Sequence, residues 1–391
     1  MFTVLDDFRD TYGIKGAALG LIVAVGFFSS FFAQVLVAPM ADRGRARLLV
    51  LIGIAFEVVG LIGMAAGRTV GVLVAARIVM GVGAGAALPA LRRIVIIADP
   101  DNLGSNLGNL LAADVAGFAA GPAISAVLVS PFGLAAPFIV IAAATVAFVP
   151  VMVRVHVNER TEASRDRATE TRFAFDLLGN RAYVAALCLG AAVFLMIGTF
   201  DALWVLVLDD LDTAEWIANL GITMFAIPIF LLGPVGGRLA QRVGPFRVGT
   251  IGLLGSATFM MSYGFLPSGV AIFIVSIFHA VCDGLTVSSG GVAVGLVVPP
   301  DRQAGAQGLL GGAETLVGGI AAIAAGWLYE HHGREVAYSV TSASMVVLVV
   351  IAAVLVRGST QATHGHAISR RAASRSSLLI VENQNSGPHP S

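Results

Sequence analysis

The chain has 391 residues, of which 57% are apolar and only 12% are charged, and its mean hydropathy is +0.87. A soluble domain carries roughly 25% charged residues, so this composition excludes an ordinary soluble enzyme and predicts an all-α polytopic membrane protein. The 24 basic and 24 acidic residues balance, which gives no support for a nucleic-acid partner.

Eleven apolar stretches are long enough to form transmembrane helices, because about 20 residues span the hydrocarbon core of a bilayer. They cover residues 17–38, 48–66, 70–91, 105–129, 133–153, 183–208, 214–236, 246–266, 269–298, 304–328 and 335–357. A charged linker, 156–182, separates an N-terminal bundle (1–155) from a C-terminal bundle (183–357). The polar tail, 358–391, has a composition typical of disorder.

The distribution of basic residues predicts the orientation of the chain. If the loop with Arg43, Arg45 and Arg47 is cytoplasmic, 19 of the 24 Lys and Arg residues fall on the cytoplasmic side. This asymmetry is typical of an inner (cytoplasmic) membrane protein with a cytoplasmic linker and tail, and it places the N-terminus of this chain outside. The two cysteines, Cys188 and Cys282, lie in apolar stretches, which excludes a disulfide framework and a cysteine metal cluster.

The two halves repeat short strings at a nearly constant spacing. PDNLGSNLG from Pro100 matches PDRQAGAQG from Pro300, and Asp42 corresponds to Gln241, 199 residues later. The string VLDD occurs at 4–7 and again at 207–210. Parallel repeats of this kind are typical of transporters in which two helical bundles rock around a central site.

The position of VLDD also predicts that a helix is missing. In the second half this string closes the stretch 183–208, whereas in the first half it lies close to Met1. We therefore expect a twelve-helix architecture of which this chain contains eleven helices, with the true start of translation upstream. The alternative is an authentic eleven-helix protein with an outside N-terminus.

The first motif is APMADRGRARL, which begins at Ala38, and its second copy is GRLAQRVGPFR, which begins at Gly237. An acid at a helix end, such as Asp42, can pair with arginines and with the N-terminus of a neighbouring helix, and so hold the two bundles closed on the inner side. The alternative is a simple topology anchor, and in the second copy the charge is replaced by Gln241. The residues expected in this gate are Asp42, Arg43, Gly44, Arg45, Arg242 and Gly244.

Two further motifs lie inside predicted spans. The run LVAARIVMGVGAG places Arg77 where an arginine costs about 2.5–3.5 kcal/mol on insertion scales, so that it needs a polar partner or must snorkel to the outer surface. The run GFAAGPAIS contains Gly117, Gly121 and Pro122. Its G-x-x-x-G face permits close approach of another helix and its proline favours a kink, which together predict a hinge or a tight helix contact.

Together these motifs resemble those of the major facilitator superfamily, and specifically those of its drug:proton antiporters. The gate string is similar to G-x-L-A-D-R-x-G-R-R, with Ala38 in the first glycine position and one residue fewer before the next glycine. The others are similar to l-x-x-x-R-x-x-x-G-x-G and to G-x-x-x-G-P-x-x-G-G, with Ser125 and Ala126 in place of the last two glycines. The resemblance implies two six-helix bundles, a monomer, and a role for Arg77 in tuning a carboxylate during proton transfer.

Acidic residues within the spans are candidates for proton coupling, because burial favours the neutral form of a carboxyl group. They are Glu57, Asp114, Asp201, Asp283 and Glu314. We expect Asp114 to be the leading candidate, since it lies one turn before the hinge motif on a helix that should pass close to the helix bearing Arg77. A spacing of 200 residues pairs it with Glu314. By the resemblance, Asp201 and Asp283 line the cavity, where His279 assists or merely packs, whereas Glu57 has a supporting position. The alternative is charge pairing that fixes helix register.

These features predict a secondary active transporter and not an enzyme. The sequence has no phosphate-binding loop, nucleophile–base set or metal-ligand cluster, so no cofactor is expected. We expect proton-coupled efflux of a small amphipathic or hydrophobic compound by alternating access, with substrate, protons and lipid as the partners. The alternatives are a proton-coupled symporter that imports a small metabolite, and a non-transporting sensor or defective fragment.

Overall fold

The computed structural model describes residue 8 and residues 11–154 and 173–385, which fold almost entirely into helices. A helix satisfies its own backbone hydrogen bonds, which an apolar chain within a bilayer requires. In chain order the helices are α1 (Gly16–Leu36), α2 (Ala46–Ala66), α3 (Val70–Ala98), α4 (Leu103–Phe132), α5 (Ala136–Arg154), α6 (Arg181–Asp210), α7 (Glu215–Val243), α8 (Pro245–Tyr263), α9 (Gly269–Thr286) and α10 (Ser289–Val297). A final helical run, Gln303–Asn385, is interrupted at Gly333, and its two parts are α11 (303–332) and α12 (334–385).

Nine stretches of the described residues are long and apolar enough to cross a membrane. The last of them, Pro300–Arg357, has 58 residues and contains the break at Gly333, so it is long enough for two crossings. Helix α8 is not among the nine, but its 19 residues are sufficient for one crossing. Counting the last stretch as two and including α8, the described residues contain eleven candidate crossings, the number that the sequence predicts.

The halves are built alike and each has its own core. In the second half Trp204, Tyr263 and Tyr338 are at most 2% exposed, and a smaller core in the first half is built around Leu73 and Met64. Large apolar side chains also cover the outer surface, where lipid tails would surround them. The halves meet where α1 packs against α11 and where α4 packs against α7.

Tight turns at equivalent places confirm the internal repeat. Gly44, after the turn Ala38–Arg43, has φ 76°, and Gly244, between α7 and α8, has φ 113°. Glycine adopts this left-handed region at little cost because it lacks a Cβ atom. The two glycines of the predicted gate motif are therefore required by the shape of the chain.

The structure differs from the sequence prediction in two places. The predicted span 269–298 consists of two helices, α9 and α10. The tail, predicted to be disordered, continues α12 as helix to Asn385, and its residues 366–385 contain no helix-breaking Gly or Pro. The linker is helical over Ala174–Gly179, and its residues 155–172 lie outside the described part of the chain. The first VLDD string also lies outside it, so the missing helix stays a prediction.

Candidate functional site

Asp42 joins the two halves at one end of the molecule. Its Oδ1 accepts hydrogen bonds from Arg93 Nε at 3.0 Å and from the Ala304 amide at 2.8 Å, and its Oδ2 accepts one from the Gly305 amide at 2.7 Å. These two amides belong to the first turn of α11, where free N–H groups and the helix dipole favour a negative charge. The side chain is only 5% exposed. This geometry is the contact with an arginine and a helix N-terminus predicted for the gate motif.

The arginine that pairs with Asp42 lies outside the predicted motif. Arg43, Arg45 and Arg242 are exposed, whereas the paired residue, Arg93, is 3% exposed and lies near the end of α3. The sequence contains a signal for Arg93, because adjacent arginines at the inner end of a span are energetically costly unless one of them pairs with an acidic residue. The spacing along the chain did not identify which acid.

Gln241 makes the equivalent contact in the second half. Its Oε1 accepts a hydrogen bond from the Gly104 amide at 2.7 Å, in the first turn of α4, and its Nε2 donates to the carbonyls of Pro100 at 3.1 Å and Asp101 at 3.0 Å. Gly104 and Ala304 are 200 residues apart, so the two caps are related by the repeat. The second copy therefore keeps the contact between the halves although it has lost the charge. We call the end of the molecule that carries Asp42 and Gln241 the closed end.

A third polar contact lies at the closed end. Arg302, which precedes α11, donates from Nη1 to Asp176 Oδ2 at 3.0 Å and from Nη2 to Asp176 Oδ1 at 2.6 Å. This bidentate hydrogen bonding lowers the pKa of the Asp176 carboxyl below its ordinary value. The pair connects the end of the interhalf linker to the start of α11.

A large cavity lies between the halves, farther from the closed end. It has a volume of about 580 Å³ and is bounded by α1, α6 and α11. Most of the described lining is apolar, and the aromatic residues in it are Phe27, Phe28, Phe31 and Phe194. Asp201 is the one charged residue and Thr315 the one hydroxyl-bearing residue along this lining. Asp201 thus lies along the cavity, the position that the resemblance implies for it.

Two other acids lie beside an arginine below the cavity. Arg92 Nη1 in α3 is 3.7 Å from Glu314 Oε2 in α11, and Arg92 also interacts electrostatically with Asp114 in α4. Glu314 is 7% exposed, whereas Asp114 is exposed in the described structure. The repeat-related acids thus share one arginine, which the sequence reasoning did not name.

Arg77 does not take part in that cluster. It interacts electrostatically with Glu57 of α2, and its guanidinium packs against α1 at Gly26. Arg77 and Arg92 are 15 residues apart on α3, or about 22 Å along the helix axis, and it is Arg92 that interacts with Asp114. Asp114 lies at the level of Arg92.

Asp283 lies inside the second half and does not line the described cavity. Its Oδ1 accepts a hydrogen bond from Ser256 at 2.6 Å, its Oδ2 is 3.4 Å from His279 Nε2, and His279 Nδ1 is 2.9 Å from the Tyr263 hydroxyl. Asp283 and His279 are both 0% exposed. The cavity position expected for Asp283 is therefore corrected to a buried polar cluster that connects α8 with α9.

The predicted hinge motif makes no close helix contact among the described residues. No described atom outside the local helix lies within 4 Å of a Cβ built on Gly117 or Gly121, and α4 is continuous through Pro122. Of the two expectations for this motif, the described residues thus show no tight helix contact, and a hinge at this position stays a prediction. Close approach occurs instead nearer the start of α4, where a methyl group on any of three glycines would overlap a main-chain carbonyl of the facing helix. These are Gly104 and Gly108 of α4 and Gly237 of α7.

Structural comparison gives neighbours that cover nearly the whole chain. The proton:xylose symporter XylE, bound to 6-bromo-6-deoxy-D-glucose, has a TM-score of 0.73 at 15% identity, with 89% of this chain and 90% of that chain covered. The E. coli fucose:proton symporter FucP has a TM-score of 0.69 at 14% identity, with 90% and 95% covered. The human organic anion transporter MFSD10 (TETRAN) has a TM-score of 0.65 at 14% identity, with 89% and 88% covered. At such low identity these likenesses establish the fold alone.

Sequence comparison establishes the family. No curated protein has a significant match to the sequence. The family model for the Major Facilitator Superfamily matches residues 1–218 and again residues 193–382, so each half is matched separately. The matched proteins are transporters and not enzymes, in agreement with the sequence prediction. With two repeated helical halves, a cavity between them and family matches over both, this multi-pass membrane protein belongs to the Major Facilitator Superfamily.

Proposed function

We propose that this transporter expels a small amphipathic compound in exchange for protons, as a drug:proton antiporter does. The observation that carries the proposal is the cavity, whose described lining is apolar and aromatic except for Asp201 and Thr315. Such a lining binds apolar surface well, and a single carboxylate favours a positively charged group on the substrate. A lipophilic cation has this chemistry.

The alternative is proton-coupled import of a small metabolite, since two structural neighbours are sugar symporters. A sugar presents many hydroxyl groups, each of which needs a hydrogen-bond partner when it leaves water. Two polar residues among the eighteen that line the cavity supply too few such partners. The lining therefore favours the apolar substrate.

The contacts at the closed end give the proposal a direction. We place this end in the cytoplasm, because the basic loops that predict cytoplasmic orientation lie there. Asp42 and Gln241 then hold the cytoplasmic end shut while the cavity is accessible from outside. Inward access requires both caps to separate from α11 and α4. One chain contains both halves of the pathway, so we propose that it acts as a monomer in the inner membrane.

The proposal is tested in inverted membrane vesicles with an imposed pH gradient and tetraphenylphosphonium as the probe. Efflux by antiport predicts that adding the probe dissipates the gradient. Asp201→Asn should reduce this response by at least about tenfold, because it removes the one charge along the lining, which corresponds to about 1.4 kcal/mol. Asp209→Asn is the matched control, since Asp209 is exposed near the end of the same helix.

Two results would contradict the proposal. If the lipophilic cation has no effect while xylose makes the medium around right-side-out vesicles more alkaline, the protein is a symporter. If Asp201→Asn and Asp209→Asn respond alike, the carboxylate in the cavity does not recognise the substrate.

A further inference from the structure

Arg92 lies between two carboxylates that belong to different halves of the protein. It is 3.7 Å from Glu314 in the second half, and it interacts electrostatically with Asp114 in its own half. Each acid lies eleven residues after the start of its helix, α11 for Glu314 and α4 for Asp114. At 1.5 Å per residue both are about 16 Å above the caps of the closed end. They occupy equivalent positions in the repeat, and among the described residues a single arginine, Arg92, interacts with both.

The surroundings of Glu314 leave it dependent on Arg92. The Glu314 side chain is 10% exposed. A methyl group on Gly190 of α6 would come within 2.8 Å of Glu314 Oε1, so the carboxylate packs directly against the α6 backbone at this glycine. The titratable groups that face it are Arg92 from α3 and the hydroxyl of Tyr183 from α6. From α1 the neutral Gln34 contacts the adjacent Thr315. Arg92 is thus the positive charge that faces this buried acid.

The charges in this cluster do not balance. One guanidinium faces two carboxylates, so one of them is without a paired cation at any time. Asp114 is exposed and can stay ionised, whereas Glu314 is buried, and a buried carboxylate without a cation is costly unless it is protonated. Glu314 therefore has the capacity for one proton when Arg92 leaves it.

Relative motion of the halves connects this proton to access. The Arg92–Glu314 pair bridges α3 and α11 and so crosses between the halves, whereas Arg92 and Asp114 lie in the same half and move together. Separation of the halves at the closed end must break the first pair and leaves Arg92 with Asp114. Once Glu314 is protonated it is neutral, and its separation from Arg92 no longer leaves an unpaired buried charge.

We propose that Glu314 is the proton-binding carboxylate of this transporter, and that Arg92 is a positioning residue that moves from Glu314 to Asp114 when Glu314 is protonated. This inference rests on the proposed proton-coupled function and names the site of the proton. A proton enters from the cavity and binds to a Glu314 oxygen. Arg92 then pairs with Asp114, the closed end opens, and the same proton leaves to the cytoplasm. Return of Arg92 to the ionised Glu314 closes that end again.

The experiment measures the distance across the closed end as a function of pH, without substrate, in the full-length protein. Spin labels are placed at Arg45 and Arg247, which are exposed on opposite halves, after both cysteines are replaced by serine. In the unmodified background, lowering the pH should shift the population toward the longer distance. Glu314→Gln should give the longer distance at every pH, and Arg92→Gln should do the same.

Asp114→Asn should have the opposite effect, because it removes the alternative partner and leaves Arg92 on Glu314. The expected result is the shorter distance at every pH, together with loss of pH-driven transport. The matched control is Glu57→Gln, since Glu57 interacts with Arg77 within a single half. It should retain the pH-dependent change in distance.

The outcomes separate this inference from the proposed function. If Glu314→Gln, or Arg92→Gln where the first variant does not fold, keeps the same pH-dependent change as Glu57→Gln, Glu314 is not the proton site and the inference is overturned. If Glu314→Gln and Asp114→Asn shift the distance in the same direction, Arg92 does not change partners. If the shifts occur as expected but tetraphenylphosphonium is not exported, the proton site stands and the proposed substrate class is wrong.

Discussion

Removal of the Asp42 carboxylate should open the closed end. Asp42→Ala leaves the Arg93 guanidinium buried without its acid and frees the amides of Ala304 and Gly305 in the first turn of α11. The pair with Arg93 lies within the first half and persists when the halves separate, whereas the hydrogen bonds to the two amides form only when the halves are together. A hydrogen bond to a charged group contributes about 1.5–3 kcal/mol, so loss of these two costs the closed state about 3–6 kcal/mol. This corresponds to a change of roughly 10²- to 10⁴-fold in the equilibrium between closed and open states.

The repeat supplies the matched comparison. Gln241→Ala removes the neutral cap on Gly104 and two solvent-exposed hydrogen bonds to the carbonyls of Pro100 and Asp101. A neutral hydrogen bond contributes about 0.5–1.5 kcal/mol and exposed ones contribute least, so the effect should be roughly tenfold. Asp42→Asn keeps one acceptor and should lie between the two alanine variants. The distance between spin labels at Arg45 and Arg247 reports the populations. If Gln241→Ala opens this end as far as Asp42→Ala, the buried charge is not what holds the halves together.

Two further variants test packing and surface charge. Gly198→Ala would place a methyl group against the Gly318 carbonyl, where α6 meets α11, and overpacking should lower stability by about 1–3 kcal/mol, measured as a lower Tm in detergent. Gly326→Ala, with no described neighbour within 4 Å, should leave Tm nearly unchanged, and equal shifts would refute the reasoning. Asp176→Asn should destabilise by at most about 1 kcal/mol at neutral pH, since its pair with Arg302 is partly exposed. The pKa of Asp176 is lowered in the folded state, so the stabilisation by the pair is complete above the ordinary pKa of an aspartate and is lost as pH falls through the lowered folded-state pKa. The difference in stability from the unmodified protein should vanish there, and a difference that persists in stronger acid would contradict this reasoning.

The number of crossings and the internal repeat could be predicted because both depend on local sequence. A stretch of twenty apolar residues has few alternatives to a transmembrane helix, and the repeat is visible in similar strings such as those at Pro100 and Pro300. The break between α9 and α10 was not predicted, since Ser288 at that position is compatible with a continuous helix. Local composition does not determine whether two helical segments join.

The site was predicted where a residue acts on a neighbouring turn or helix end, and not where partners meet across helices. Asp42 was recognised because an acid in a tight turn after a span suits a helix N-terminus. Arg92 and Arg93 were not recognised, since their partners depend on which faces of α3 and α11 meet. Helices that are apolar nearly all round do not reveal that face from periodicity. The close contacts at Gly104 were missed for the same reason.

Where α4 crosses α7, the halves touch through main-chain atoms, and on the opposite side Gly308 of α11 lies against the Gln34 carbonyl of α1. Because these glycines present no side chain to the facing carbonyls, the helices can turn on one another at these points once the polar caps have separated. The same close main-chain contact makes these crossings sensitive to a small increase in side-chain volume. A single methyl group at Gly104 or Gly308 would separate the facing helices and hold the protein in one orientation, while the cavity that selects its substrate keeps its shape.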